Sequence, residues 1–215
     1  WGYSLFQIGV LHSVTFAFTY VFEVPSGLIA DHFGKKNELL LCFVWYMLSF
    51  ACYAFGESGF WVLVLASGFY GLGEAFRSGT HKAMICAWLD KHEIGGYKKF
   101  IYSRTRAASN LGSALNAVLS IGIIVALDSY QLIFAISVVP FVADFLLIST
   151  YPAYMNETAD TKQDARAILS DTREAMREVL AAPATRNPLL SSSTFMAVFT
   201  TLKHYIQPIM VVYGA

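Results

Sequence analysis

Residues 27–39, Gly-Leu-Ile-Ala-Asp-His-Phe-Gly-Lys-Lys-Asn-Glu-Leu, form a charged turn between two long apolar runs. Phe16 to Ala30 carries one charge, Glu23, and Leu39 to Phe55 carries none. With its flanks each run is long enough to cross a bilayer, which takes about 20 residues of helix. The turn is therefore expected to be a tight hairpin at a membrane surface. Gly27 would let helices approach closely, and Gly34 permits a backbone conformation that a side chain would oppose. Asp31 is placed to cap the following helix or to pair with a nearby cation, while Lys35 and Lys36 hold the loop on the cytoplasmic side.

Composition supports a membrane protein. Apolar residues make up 56% of the 215 and charged ones 14%, against roughly 25% charged in ordinary soluble domains. A net charge of zero gives no general affinity for nucleic acid, so the positions of the charges matter more than their sum. Cys42, Cys52 and Cys86 all lie inside apolar runs, where a thiol acts as a small hydrophobe and not as half of a disulfide. The chain begins at Trp1 with no signal peptide and reads as a piece of something longer.

In order, a first span covers about Leu5 to Ala30, with Glu23, Pro25 and Ser26 near its end. The second, Leu39 to Phe55, stops at the minimal turn Gly56-Glu57-Ser58-Gly59. The third starts at the interfacial pair Phe60-Trp61 and runs to Leu89. Gly68, Gly71 and Gly73 favour close helix contact in it, and Glu74, Arg77, His81 and Lys82 follow. Residues 90–106 are too charged to cross. A fourth span, Ala107 to Leu127, carries Ser109, Gly112, Ser113, Asn116 and Ser120 along one face. The fifth, about Tyr130 to Thr150, has Pro140 and Asp144 one turn apart. Residues 151–188 form a polar connection in which Ala165, Ile168, Leu169, Thr172, Met176, Val179 and Leu180 make an amphipathic stripe, closed by Pro183. A last span begins near Leu189 and contains Lys203, His204 and Pro208.

Three connections, 31–38, 90–106 and 151–188, hold twelve of the fifteen cations. The alternate turns 56–59 and 128–131 hold one carboxylate each and no cation. The positive-inside rule then places the three basic loops in the cytoplasm of a multi-pass protein of the cell (plasma or inner) membrane.

The pattern G-x-x-x-D-x-x-G-K-K at 27–36 resembles the loop between the second and third helices of major facilitator superfamily (MFS) transporters. The resemblance implies an all-α polytopic bundle. Residues 1–150 would be five helices of the N-terminal half, similar to helices two to six. Residues 151–188 would be the central cytoplasmic loop, and 189–215 the start of helix seven. It further implies a monomeric secondary active transporter of a small molecule, proton-coupled and working by alternating access in the lipid bilayer, with drug or metabolite export as the first substrate class to test. Such a protein is not an enzyme and needs no cofactor. In two places the sequence departs from common family signatures: Ser67 stands where an arginine is frequent, and no glycine-proline pair occurs in 107–127.

Charges inside a bilayer are costly unless paired or facing water, which makes them candidate sites. Glu74 and Arg77 are three residues apart on one helix and can pair. The resemblance puts them on a cavity-lining helix, and Lys203 and His204 on another, beside Tyr205 and Gln207. Glu23 could carry a proton or bond a neighbouring helix, and Asp144 could be a proton site or reach the interface. Lys82 can snorkel to the surface. By resemblance the gate motif comprises Gly27, Asp31, Gly34, Lys35 and Lys36, with Asp31 contributing to contacts between the two halves. His81, Met84 and Cys86 diverge by up to about 160° around a helix, so they share no metal-binding face. No nucleophile or nucleotide motif favours a membrane-embedded enzyme, and a non-transporting receptor or scaffold would have no need of intramembrane charge.

Overall fold

The computed structural model describes residues 2–127, 129–156, 174, 177, 178 and 181–213. Among them there is no strand, and the architecture is all-α. The α-helices whose bounds lie among the described residues are, in order, α1 Leu5–Phe33, α2 Lys35–Ala54, α3 Phe60–Arg77, α4 Thr80–Lys91, α5 Lys98–Leu127, α6 Tyr130–Ser149 and α7 Pro183–Tyr213. The stripe expected over Ala165–Leu180 lies outside the described residues. The chain separates into two compact units, Trp1–Asp160 and Thr161–Ala215, and α7 belongs to the second. By length and composition α1, α2, α6 and the stretch Gly95–Leu127 are apolar enough to cross a membrane.

Within the first unit the packing order is α1, α3, α2, α6, with α5 only lightly against α6. The core is built from Leu39, Cys42, Phe43 and Tyr46 of α2, Leu72, Ala75 and Phe76 of α3, Met84 of α4 and Ile148 of α6. Large apolar side chains such as Phe6, Trp61 and Val125 point outward, as lipid-facing surface does. Lipid is as apolar as leucine, so burial in lipid does not by itself draw helices together. Small residues and interhelical hydrogen bonds do that here.

α3 shows how. Thr15 Oγ1 of α1 donates to Ser67 O (3.2 Å), Thr19 Oγ1 to Gly71 O (3.1 Å) and Ser26 Oγ to Ala75 O (3.1 Å). The α3 acceptors are spaced by four residues, one per helical turn on one face. From the other side, α2 donates Ser49 Oγ to Ala66 O (2.8 Å) and Cys42 Sγ to Gly73 O (3.3 Å). The close contact expected of the glycines is made at two of them. A Cβ at Gly71 would collide with Thr15 O and come within 2.8 Å of Phe18 Cβ, and one at Gly73 would meet the Tyr46 ring at 2.8 Å.

Several local expectations are corrected. The third span is not continuous: it breaks at Ser78–Gly79, where Gly79 takes φ +84°, a conformation suited to glycine. α5 starts at Lys98 and not near Ala107, so the basic segment is folded into its first turns. Its small-residue face from Ser109 to Ser120 is not buried. α7 starts at Pro183 and not at Leu189; proline suits a first helical turn, where its missing N–H goes unused. Among the described residues Gly27 has nothing within 4 Å of where a Cβ would stand, so it makes no close helix contact with them. Asp31 does not cap α2: Gly34 holds that position with φ +91°, and no side chain of the turn caps it.

The hairpin is instead tied to the far end of α6. Lys36 Nζ donates to the carbonyls of Ser149 (2.8 Å) and Tyr151 (2.7 Å), closing the C-terminus of α6. Cations suit that end of a helix dipole. Asn156 accepts from the Asn37 backbone N–H at 3.2 Å and packs against Gly34.

Two stability outcomes follow. Gly71→Ala should lower the thermal midpoint of the detergent-purified protein, since overpacking costs about 1–3 kcal/mol; Gly27→Ala should hold or raise it, as alanine favours a helix interior. Equal losses at both sites would refute the packing assigned to α3. Lys36→Met should cost about 1.5–3 kcal/mol through its charged hydrogen bonds, and an unchanged midpoint would remove the α6 clamp.

Candidate functional site

The charged residues that the sequence places at the end of the third span meet a tyrosine from α2. Tyr46 is 3% exposed and sits on the face of α2 that packs on α3. Its hydroxyl donates to Glu74 Oε1 at 2.7 Å and accepts from Arg77 Nε at 3.0 Å. Arg77 Nη2 donates to both carboxylate oxygens of Glu74, at 3.0 and 2.9 Å. Each of the three groups bonds the other two, which satisfies the charges and fixes both side chains. Gly73 permits this: a side chain there would strike the Tyr46 ring. The Glu74 and Arg77 side chains are 29% and 53% exposed, so the pair is anchored at one edge and open at the other.

Tyr46 also begins an aromatic column. Tyr46, Phe50 and Tyr53 lie at i, i+4 and i+7 on α2, and Phe134 and Phe141 interleave from α6. Ring centroids are 5.0 Å apart for Tyr46–Phe141, 5.1 Å for Phe50–Phe141 and 5.3 Å for Tyr53–Phe134. Tyr70 of α3 adds a contact to Tyr46 at 5.4 Å. Offset rings at these separations attract beyond simple area burial. The column was readable as heptad-spaced aromatics, yet sequence reasoning passed over Tyr46, because a tyrosine in an apolar run does not announce its hydroxyl partner.

Glu23 stands on α1 opposite the break in the third span, and Ser78 Oγ donates to its Oε1 at 3.2 Å. Asp144 is exposed on α6, one turn past Phe141, within electrostatic range of His81. Lys82 lies over the Tyr102 ring at 5.6 Å. Lys203 and His204 are adjacent on α7 in the second unit. The structure thus joins Glu74 and Arg77 through Tyr46 and leaves Glu23 and Asp144 outside that bonded group.

A further carboxylate went unassigned in the sequence. Glu38 is 1% exposed, accepts a hydrogen bond from Thr80 Oγ1, and has no partner for Oε1 among the described residues. Together with Glu23–Ser78 it brackets the α3–α4 break, one bond to each side of Gly79. Its place in the charged turn was visible; its burial was not, because that depends on α4 turning back over α2.

Comparison with known proteins agrees with this architecture. The chain is 29% identical over 98 residues to the uncharacterized MFS-type transporter YxaM of Bacillus subtilis (strain 168), covering 46% of this chain and 23% of the relative. It is 25% identical over 103 residues to the probable 4-methylmuconolactone transporter of Cupriavidus pinatubonensis (strain JMP 134 / LMG 1197), covering 48% and 24%. The matches thus span about a quarter of the length of these curated relatives. No solved structure matches the chain. The family match runs over residues 1–215, and on that ground the chain belongs to the Major Facilitator Superfamily.

Proposed function

We propose that the parent protein is a secondary active transporter that moves a small organic solute across the membrane by rocking two helical halves about a central site. The observation that carries this reading is the closed Tyr46–Glu74–Arg77 group, a charged pair held at the edge of an apolar bundle. Intramembrane charge is expensive, and a pair locked on one side but open on the other is poised to exchange partners with a ligand. Arg77 would then recognise an anionic or carbonyl-bearing solute, and Glu74 would bind a proton or a cation when Arg77 turns away. The relative described as a 4-methylmuconolactone transporter supports a small organic solute as the class to test first.

Proton coupling is the energy source this reading adopts, with Glu74 as carrier and Asp144, beside His81, as the second carboxylate to examine. Lys36, by fastening α2 to α6, helps the first half move as one body. Asp31 is exposed and Lys35 half-buried at the same turn on the side we take to be cytoplasmic, where they can meet the other half. Lys203 and His204 would contribute from that half. Outward export remains the direction to test before uptake.

The test is solute-driven proton movement in vesicles holding the full-length parent, read with a pH-sensitive dye beside tracer flux. Glu74→Gln should abolish solute-dependent proton movement, and Tyr46→Phe should slow flux at least about tenfold, as loss of its two hydrogen bonds to charged groups implies. Asp144→Asn should reduce proton movement less than Glu74→Gln does. Full flux in folded Glu74→Gln would remove the pair from the mechanism, and absence of flux across a broad solute panel would favour a scaffold.

A further inference from the structure

Beside the motif turn lies a cleft lined by Lys35 of α2, Met84, Ala87, Trp88 and Lys91 of α4, and Tyr154 and Met155 of the 3-10 turn after α6. It is separate from the Tyr46–Glu74–Arg77 group. From Lys35, Lys91 and the aromatic pair Trp88 and Tyr154, we infer that it is a binding site for a phosphate-bearing ligand, the headgroup of an anionic phospholipid being the source its position favours.

Charge is the first argument. Both lysines line the cleft, and among the described residues no carboxylate does. Of the nearby acids, Asp90 is bonded to Lys98 at 2.7 Å and Glu38 is buried against Thr80, while Asp31, one turn before Lys35, is exposed and outside the cleft lining. Among the described residues neither Lys35 nor Lys91 is in an ion pair, so a cleft of this chain of zero net charge is lined by two ammonium groups without a carboxylate in contact. Lys35 is moreover the first residue of α2, where the helix dipole adds positive potential.

The second argument is shape and preorganisation. Lys91 Nζ is held 4.0 Å from the centroid of the Tyr154 ring, so the ring restrains the ammonium it attracts. Trp88 and Tyr154 are the amphipathic aromatics that favour the headgroup region. The two methionines give walls that can adapt to a ligand. Phe33, Tyr97 and Phe100, all more than half exposed, place apolar surface at the same end of the bundle. Basic clefts between membrane helices at such a level suit phosphate headgroups.

The experiment measures lipid retention by the full-length parent, by native mass spectrometry and by binding in nanodiscs with and without phosphatidylglycerol. Wild type should retain phosphatidylglycerol over phosphatidylcholine, and Lys35→Gln and Lys91→Gln should each weaken retention about fivefold. Lys99→Gln, the same charge change at an exposed residue outside the cleft, should leave it unchanged. Inorganic phosphate in phosphatidylcholine nanodiscs forms the second arm: binding there that depends on Lys35 and Lys91, without lipid selectivity, would keep the phosphate site and assign it a soluble ligand. Retention unaffected by either cleft variant, or lowered equally by Lys99→Gln, would overturn the proposal. Should Lys35→Gln not fold, Lys91→Gln with rescue by Lys91→Arg decides the same question. None of these readouts depends on transport.

Discussion

The fold of the first unit depends on the backbone of α3 accepting hydrogen bonds from both sides. In lipid, apolar side chains have no reason to prefer one another over acyl chains, so helices associate through close packing and polar contacts. α3 supplies both. Alanine, serine and glycine bring its backbone near, and hydroxyls of Thr15, Thr19, Ser26 and Ser49 reach its carbonyls. Each such bond contributes on the order of 1 kcal/mol in a membrane. Spread along the helix, they fix register as well as association, because a slip would misplace every hydroxyl at once.

That register sets the geometry of the charged site. Glu74 and Arg77 follow directly on the small-residue surface, and Tyr46 follows Cys42 by one turn on α2. The approach that lets Cys42 reach Gly73 O also sets the Tyr46 ring against Gly73, with its hydroxyl between acid and base. The site therefore needs no separate scaffold. Its charges are tolerable because the helix contacts that exclude lipid on one side also bring in the hydroxyl that satisfies them.

Much of this was legible in the sequence, for definite reasons. The apolar runs and the motif turn fix the helices, since a bilayer allows few alternatives. The i, i+3 spacing of Glu74 and Arg77 is enough to foresee their pairing, a local event on one helix. What could not be read were contacts between distant elements: Tyr46 with Glu74, Lys36 with the end of α6, and Glu38 with Thr80. The break at Ser78–Gly79 was missed because apolar character resumes after it, and hydropathy is blind to a change of direction. Gly27 and Asp31 failed differently. Residue type led to expectations of a close contact at Gly27 and of a cap or an ion pair at Asp31, but the local geometry gives the turn to Gly34 and leaves both residues outward.

The motif turn divides its charges by what lies opposite them. Lys36 faces the carbonyl end of α6 and is spent there, making the turn part of a rigid unit. Glu38 faces α4 and joins Glu23 in holding the two sides of the Gly79 break. Asp31 is left exposed for other partners, and Lys35 lines the cleft beside α4. One short segment thus provides an anchor, a brace at a joint and a free charge, and these roles demand different physics. The anchor needs carbonyls without amide partners, which only a helix end offers. The brace needs burial, so that the bond between carboxylate and hydroxyl does not compete with water. The free charge needs exposure. A segment of thirteen residues can meet all three demands because Gly34, the single residue between α1 and α2, reverses the chain at φ +91° without consuming a side chain.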